Sequence, residues 1–157
     1  MNDQHPRIII DHLQTVKTSF EKLVRHYFGN LSLTMPQILL ILLLNENGPM
    51  NISEISKKMG LSKSTVSGII DRLEKMALVK RDRSKQDRRI ISVGLTEKYD
   101  NTGLDIEHKF REFLYNIFNE VSEEEFVDII KGLTKLDQII SQNFAMLDKS
   151  NFISNYN

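Results

Sequence analysis

At 157 residues the chain is long enough for one domain, or for a compact lobe with helical arms attached to it. It carries 21 Lys or Arg against 21 Asp or Glu, but residues 52–98 hold 12 of the cations and only 6 of the acids, so that stretch is +6 and the arms are −6. There is no cysteine, which excludes disulfides, thiolate nucleophiles, iron–sulfur ligation and thiol-based redox sensing. The N-terminus shows no apolar signal stretch, and the longest apolar run, residues 38–44, falls far short of the roughly 20 residues needed to cross a bilayer. A cytoplasmic location is therefore expected.

Taken in order, Ile9, Leu13, Val16, Phe20, Leu23, Val24 and Tyr27 recur at helical spacing with charged residues between them, which predicts an amphipathic helix over residues 8–28. Gly29 and Asn30 end it. Thr34 caps a second helix, with Pro36 in its first turn and Gln37 placed for a capping box. Residues 38–44 are apolar on every side, so this helix is expected to be buried on most faces until Asn47, Gly48 and Pro49 stop it.

The centre of the chain is more specific. Ile52, Ile55 and Met59 give a short helix its apolar stripe, Gly60 suits a left-handed C-cap, and Ser62 starts the next helix as its N-cap. In that next helix Val66, Ile69, Ile70 and Leu73 form one buried face at i, i+3, i+4, i+7 spacing. The other face carries Lys63, Ser64, Ser67, Gly68, Asp71, Arg72 and Lys75. Small hydroxyl residues there let a helix backbone approach the floor of a DNA major groove.

A hairpin follows. Ile91, Val93 and Leu95 alternate with Ser92 and Gly94 as in a half-buried strand, and the segment leading to them carries Lys80, Arg81, Arg83, Lys85, Arg88 and Arg89 against only Asp82 and Asp87. Core packing gives no reason for so cationic a loop, whereas an arginine entering a narrow, electronegative minor groove does. Two helices joined by a short glycine turn, then a charged hairpin, predict a winged helix-turn-helix. The expected groove contacts are Lys63, Ser64, Thr65 and Ser67, with Arg72 and Lys75 on phosphates and Arg83, Arg88 and Arg89 in the wing. An acid at Asp71 would repel phosphate, so its expected use is a salt bridge to a wing arginine.

Beyond the wing, Thr96 can cap a long helix lined by Leu104, Phe110, Phe113, Leu114, Ile117 and Phe118, with a break at Glu120 and Val121. Ser122 and Glu125 form a second capping box, opening a last helix with Phe126, Ile129, Ile130, Leu133, Leu136, Ile140, Phe144 and Leu147 at nearly heptad spacing. These outer helices expose more apolar stripe than a winged lobe of roughly 60 residues covers. A second copy of the chain, with the first and last two helices interlocked across a two-fold axis, resolves the excess. The expected organisation is residues 1–32 and 97–157 as a helical dimerisation region and 33–96 as the winged DNA-binding domain. The fold class is mainly α with a small β-hairpin wing.

The four histidines, His5, His12, His26 and His108, form no HxxxH or HExxH spacing. No Ser-His-Asp arrangement, catalytic carboxylate pair or phosphate-binding glycine loop is recognisable, and neither enzyme activity, metal nor cofactor is expected.

The order LTMPQ, ISEISKKMGLSKSTVSGIIDRLEKMALVKR, then DRRIISVGLTEK, over about residues 33–98, resembles the MarR family of winged-helix transcriptional regulators, the D-R-R and the L-T at the wing's exit being its most specific part. The resemblance implies that Arg89 reaches the minor groove, that Asp87 orients it and that Arg88 is a second wing cation. It also implies a homodimer on a pseudo-palindromic operator in double-stranded DNA, more often repressing than activating, with binding modulated by a small-molecule effector. Two departures stand out: Ala77 where relatives often have glycine in the turn before the wing, and Tyr99 where a glycine often follows L-T-E-K. Ala77 costs roughly 1 kcal/mol if that site needs a positive φ. The alternative from a different class is a winged-helix protein-interaction module without operator binding.

Overall fold

A computed structural model describes residues 4–83, 91–101 and 106–154. Two compact units are distinguished, Met1–Phe113 and Leu114–Asn157.

The first unit begins with α1 (Gln4–Phe28) and a 3₁₀ turn (Gly29–Leu31), which closes on Ser32 in the left-handed region at φ 51°. In α2 (Met35–Asn47) the backbone N–H and the hydroxyl of Thr34 both donate to Gln37 Oε1, at 2.8 and 3.0 Å, so the predicted cap forms from the residues that suggested it. Then come β1 (Met50–Asn51), α3 (Ile52–Met59), α4 (Lys63–Lys75), β2 (Val79–Arg83), β3 (Ile91–Leu95), α5 (Glu97–Asn101) and α6 (Ile106–Phe118), which runs past the boundary at Phe113. The sheet is antiparallel in the order β1-β3-β2, with Val79 opposite Leu95 and Arg81 opposite Val93. The hairpin thus gains a third, two-residue strand, Met50 pairing with Val93.

The core lies where α2 packs against α3, α4 and β3. Ile38, Leu40, Ile41 and Leu44 of α2 meet Ile55 of α3, Val66, Ile70 and Leu73 of α4, and Val79 and Val93 of the sheet, all of them buried. Each such side chain contributes about 1.5–3 kcal/mol by leaving water, so this cluster fixes how α3 and α4 are held. The apolar run of α2 is not covered on every side: Leu39 is 43% exposed. A second cluster gathers on Phe113, whose ring is met by Phe20 at 5.4 Å, Tyr27 at 5.5 Å and Phe28 at 6.0 Å in edge-on geometry. Phe28 and Phe113 are fully buried. Much of the rest of α1 is apolar and open, with Ile8, Ile9, Ile10, Leu13 and Val16 exposed.

In the second unit the chain turns at residues 119–122 into α7 (Glu123–Ser154). Ser122 and Glu125 build the predicted capping box: the Ser122 hydroxyl and N–H donate to Glu125 Oε2 at 2.6 and 2.9 Å, and the Glu125 N–H donates to Ser122 Oγ at 3.3 Å. Phe126, Ile129, Ile130, Leu133 and Ile140 of this helix are exposed. Among the described residues no helix is long and apolar enough to cross a membrane.

Candidate nucleic-acid interface

The helix-turn-helix is set by two caps and a glycine. Asn51 and Glu54 cap α3 reciprocally, each backbone N–H donating to the other's side chain at 2.9 Å. Gly60 ends α3 at φ 64°, a conformation that only glycine adopts without strain, and the Leu61 N–H returns to the Ser56 carbonyl at 3.1 Å. Ser62 then caps α4, accepting from the Thr65 N–H at 3.2 Å. The buried face of α4 is Val66, Ile69, Ile70 and Leu73, as its spacing indicated.

That burial turns the remaining positions outward. Lys63, Ser64, Thr65, Gly68, Asp71, Arg72 and Lys75 are exposed and Ser67 is half-buried, so six of the expected groove and phosphate contacts, Lys63, Ser64, Thr65, Ser67, Arg72 and Lys75, lie on one helix within thirteen residues. The hydroxyls at the helix start are linked: Ser62 Oγ lies 2.9 Å from Ser64 Oγ and 2.8 Å from Thr65 Oγ1. No ion-pair partner is found for Lys63, Arg72 or Lys75 among the described residues. Arg83 closes β2, but its side chain and the whole of Asp87, Arg88 and Arg89 lie outside the described residues.

The two acids of α4 are both engaged by one cation of the wing strand. Arg81 Nη2 donates to Asp71 Oδ1 at 2.6 Å, Nη1 donates to Glu74 Oε2, and the Arg81 backbone N–H donates to Glu74 Oε1 at 3.2 Å. Burial works against the charged guanidinium, but the hydrogen bond to Asp71 and the attraction of both carboxylates outweigh it and hold the Arg81 pKa above its ordinary value. Asp71 is thus joined to a wing-strand arginine; Arg81 as that partner, and Glu74 as its second acid, were not singled out from sequence. The available signal was the i, i+3 spacing of the two acids on α4, which puts them side by side on the helix surface.

A cleft of about 640 Å³ opens in the same unit between α1 and the start of α2. Its walls are mainly apolar, with Phe20, Val24, Leu33 and Pro36, and Lys17, Glu21 and Arg25 stand among its lining.

A family model described as the MarR family matches residues 33–91. The uncharacterized HTH-type transcriptional regulator YfiV of Bacillus subtilis (strain 168) is 36% identical over 110 residues, covering 70% of this chain and 69% of that protein. Among solved structures, a MarR family protein from Bacillus stearothermophilus is 28% identical with a TM-score of 0.60, over 90% of this chain and 99% of that one. Bordetella bronchiseptica BpsR, whose DNA binding is regulated by 6-hydroxynicotinic acid, is similar in fold: TM-score 0.68 at 20% identity, over 81% of this chain and 91% of that one.

Proposed function

Because this chain belongs to the MarR family of HTH-type transcriptional regulators, we propose that it binds operator DNA as a homodimer, that it acts as a repressor, and that a small-molecule effector releases it. The observation that carries the reading is the outward face of α4, small and hydroxyl-rich at its start and cationic at Lys63, Arg72 and Lys75. With Asp71 and Glu74 both engaged by Arg81, that face offers positive charge to phosphate and hydroxyls to base edges. Arg88 and Arg89 would extend the contact into the flanking minor groove.

The dimer rests on the apolar side chains that α1 and α7 leave exposed, Ile9, Leu13 and Val16 on the first and Ile129, Ile130 and Leu133 on the second. An apolar stripe left exposed along a helix, as on each of these two, marks an interaction site. A two-fold pair of α4 helices would enter successive major grooves, with half-sites about one helical turn apart, and the operator would be a pseudo-palindrome. The effector site we assign to the cleft between α1 and α2, because its apolar walls suit a ring and Arg25 suits an anionic group, Lys17 lying 4.0 Å from Glu21 of the same lining. Palindrome binding is geometrically strict, so an occupant that changes the spacing of the two reading helices changes affinity.

Hydroxyl-radical footprinting on DNA from upstream of the chain's own gene tests this directly. The expected result is two protected patches on one face of the duplex, about one turn apart, with flanking protection that Arg89→Ala removes. One patch, or none, contradicts it.

A further inference from the structure

We propose that Arg81 is a positioning residue, a clamp that docks the wing strand on the reading helix by holding Glu74 and Asp71 together, and that it contributes no phosphate contact of its own. This deepens the operator-binding reading and rests on it.

Side chains of a strand alternate between faces, so Arg81 shares its sheet face with buried Val79, and its cross-strand partner Val93 is buried too. Its neighbours Lys80 and Asp82 lie on the other face and pair with each other at 3.1 Å with both side chains exposed. Of Lys80, Arg81 and Asp82, the one in the middle is therefore turned inward, and its side chain is only 24% exposed.

What it meets there is α4. Its five N–H donors form a rigid planar fork. Nη1 is given to Glu74 and Nη2 to Asp71 at 2.6 Å, with the Ser67 carbonyl a further 3.5 Å neighbour of Nη2. Glu74 closes the arrangement by also accepting the Arg81 backbone N–H at 3.2 Å, so one carboxylate holds both the side chain and the main chain of the strand. A lysine could neutralise the acids as a point charge but could not span both. β2 ends two residues beyond Arg81, so the clamp sets the direction in which the chain leaves the strand.

A clamp and a DNA contact predict opposite signs. Glu74→Gln removes a negative charge from the DNA-binding lobe and keeps the side chain's shape; if Glu74 were only an acid near DNA, affinity would rise. The clamp predicts that it falls, by about tenfold, the equivalent of one charge-assisted hydrogen bond. Arg81→Gln should weaken binding by a similar factor, and the double variant no further than the weaker single. The salt dependence of binding should keep its slope in Arg81→Gln, whereas losing a phosphate contact would lower that slope by about 0.9.

The full-length protein is titrated by fluorescence anisotropy on a duplex from upstream of its own gene at several salt concentrations, comparing wild type, Glu74→Gln, Arg81→Gln, the double variant and Arg81→Lys. Hydrogen exchange at the Arg81 amide is followed on the same proteins without DNA. The expected result is weaker binding by all four variants at unchanged slope, with faster Arg81 exchange in Glu74→Gln. Tighter binding by Glu74→Gln, a lowered slope in Arg81→Gln, full affinity in Arg81→Lys or unchanged exchange each overturns the clamp. A wild type that binds no duplex overturns the operator-binding reading itself, and the exchange data then still report whether Glu74 docks the strand.

Discussion

The Thr96 hydroxyl donates to the Ala77 carbonyl at 2.7 Å, and Ala77 is held in the left-handed region at φ 56°. The two residues lie at opposite ends of the hairpin: Ala77 just before β2, Thr96 just after β3. Around them the Leu78 N–H returns to the Leu73 carbonyl at 3.0 Å and the Thr96 N–H to the Leu78 carbonyl at 3.2 Å, so α4 ends as a glycine-terminated helix would, but without the glycine. Ala77→Gly should therefore stabilise the protein by about 1 kcal/mol by relieving the left-handed alanine, and Thr96→Ala should cost about 1 kcal/mol through the lost hydroxyl bond. Urea unfolding followed by circular dichroism measures both. No gain from Ala77→Gly would mean that the alanine carries no strain.

The exposed stripe of α7 makes a second prediction. Leu133 is 55% exposed, and at such a surface position a polar replacement in a monomer changes stability by no more than about 0.5 kcal/mol. If α7 is a dimer face, Leu133→Glu puts a charge in the middle of it and the protein should run as a monomer where the wild type runs as a dimer. Light scattering after size-exclusion chromatography reads the difference. A wild-type monomer, or a variant that stays dimeric, removes Leu133 from the interface.

The start of α7 is pH-sensitive in a defined direction. The Ser122 hydroxyl, and after it the Ser122 backbone N–H, hydrogen-bond the Glu125 carboxylate and lower its pKa below the usual glutamate value. A depressed carboxylate contributes stability that is fully present above its unfolded pKa and is lost as the pH falls through the folded one. The first turn of α7 should therefore hold through the neutral range and fray only in acid. An NMR titration of the Ser122 and Glu125 amides should show a midpoint below that of an ordinary glutamate, and Ser122→Ala, which removes the hydroxyl and keeps the backbone N–H, should move it part of the way back.

Much of this structure was legible because it depends on local rules. Ser62 as the cap of α4, Gly60 as the left-handed end of α3, the Val66, Ile69, Ile70, Leu73 face and the boxes at Thr34–Gln37 and Ser122–Glu125 each follow from residues at most seven apart. Most of what was missed depends on residues far apart in the chain or on segments too short for a pattern. β1 has two residues, fewer than one period of alternation, and exists only because β3 pairs with it. Its Asn51 also caps α3 with Glu54, an N-x-x-E signature that was readable but not read. Tyr99 is tolerated where a glycine is common because its ring is buried at the start of α5, which only the packed structure reveals. The Arg81 clamp required knowing which face of a strand meets which face of a helix. Leu39 escaped burial because α2, though apolar all round, has neighbours on only part of its circumference.

The central claim, that the outward face of α4 meets DNA phosphates, is tested most directly by the salt dependence of binding in single-cation variants. Anisotropy on the upstream duplex should give a steep fall of log K with log salt, and Arg72→Ala and Lys75→Ala should each weaken binding across sequences and reduce the slope by about 0.9. A flat salt response, or variants that bind with the wild-type slope and affinity, would contradict the account and favour a winged-helix module that recognises protein instead.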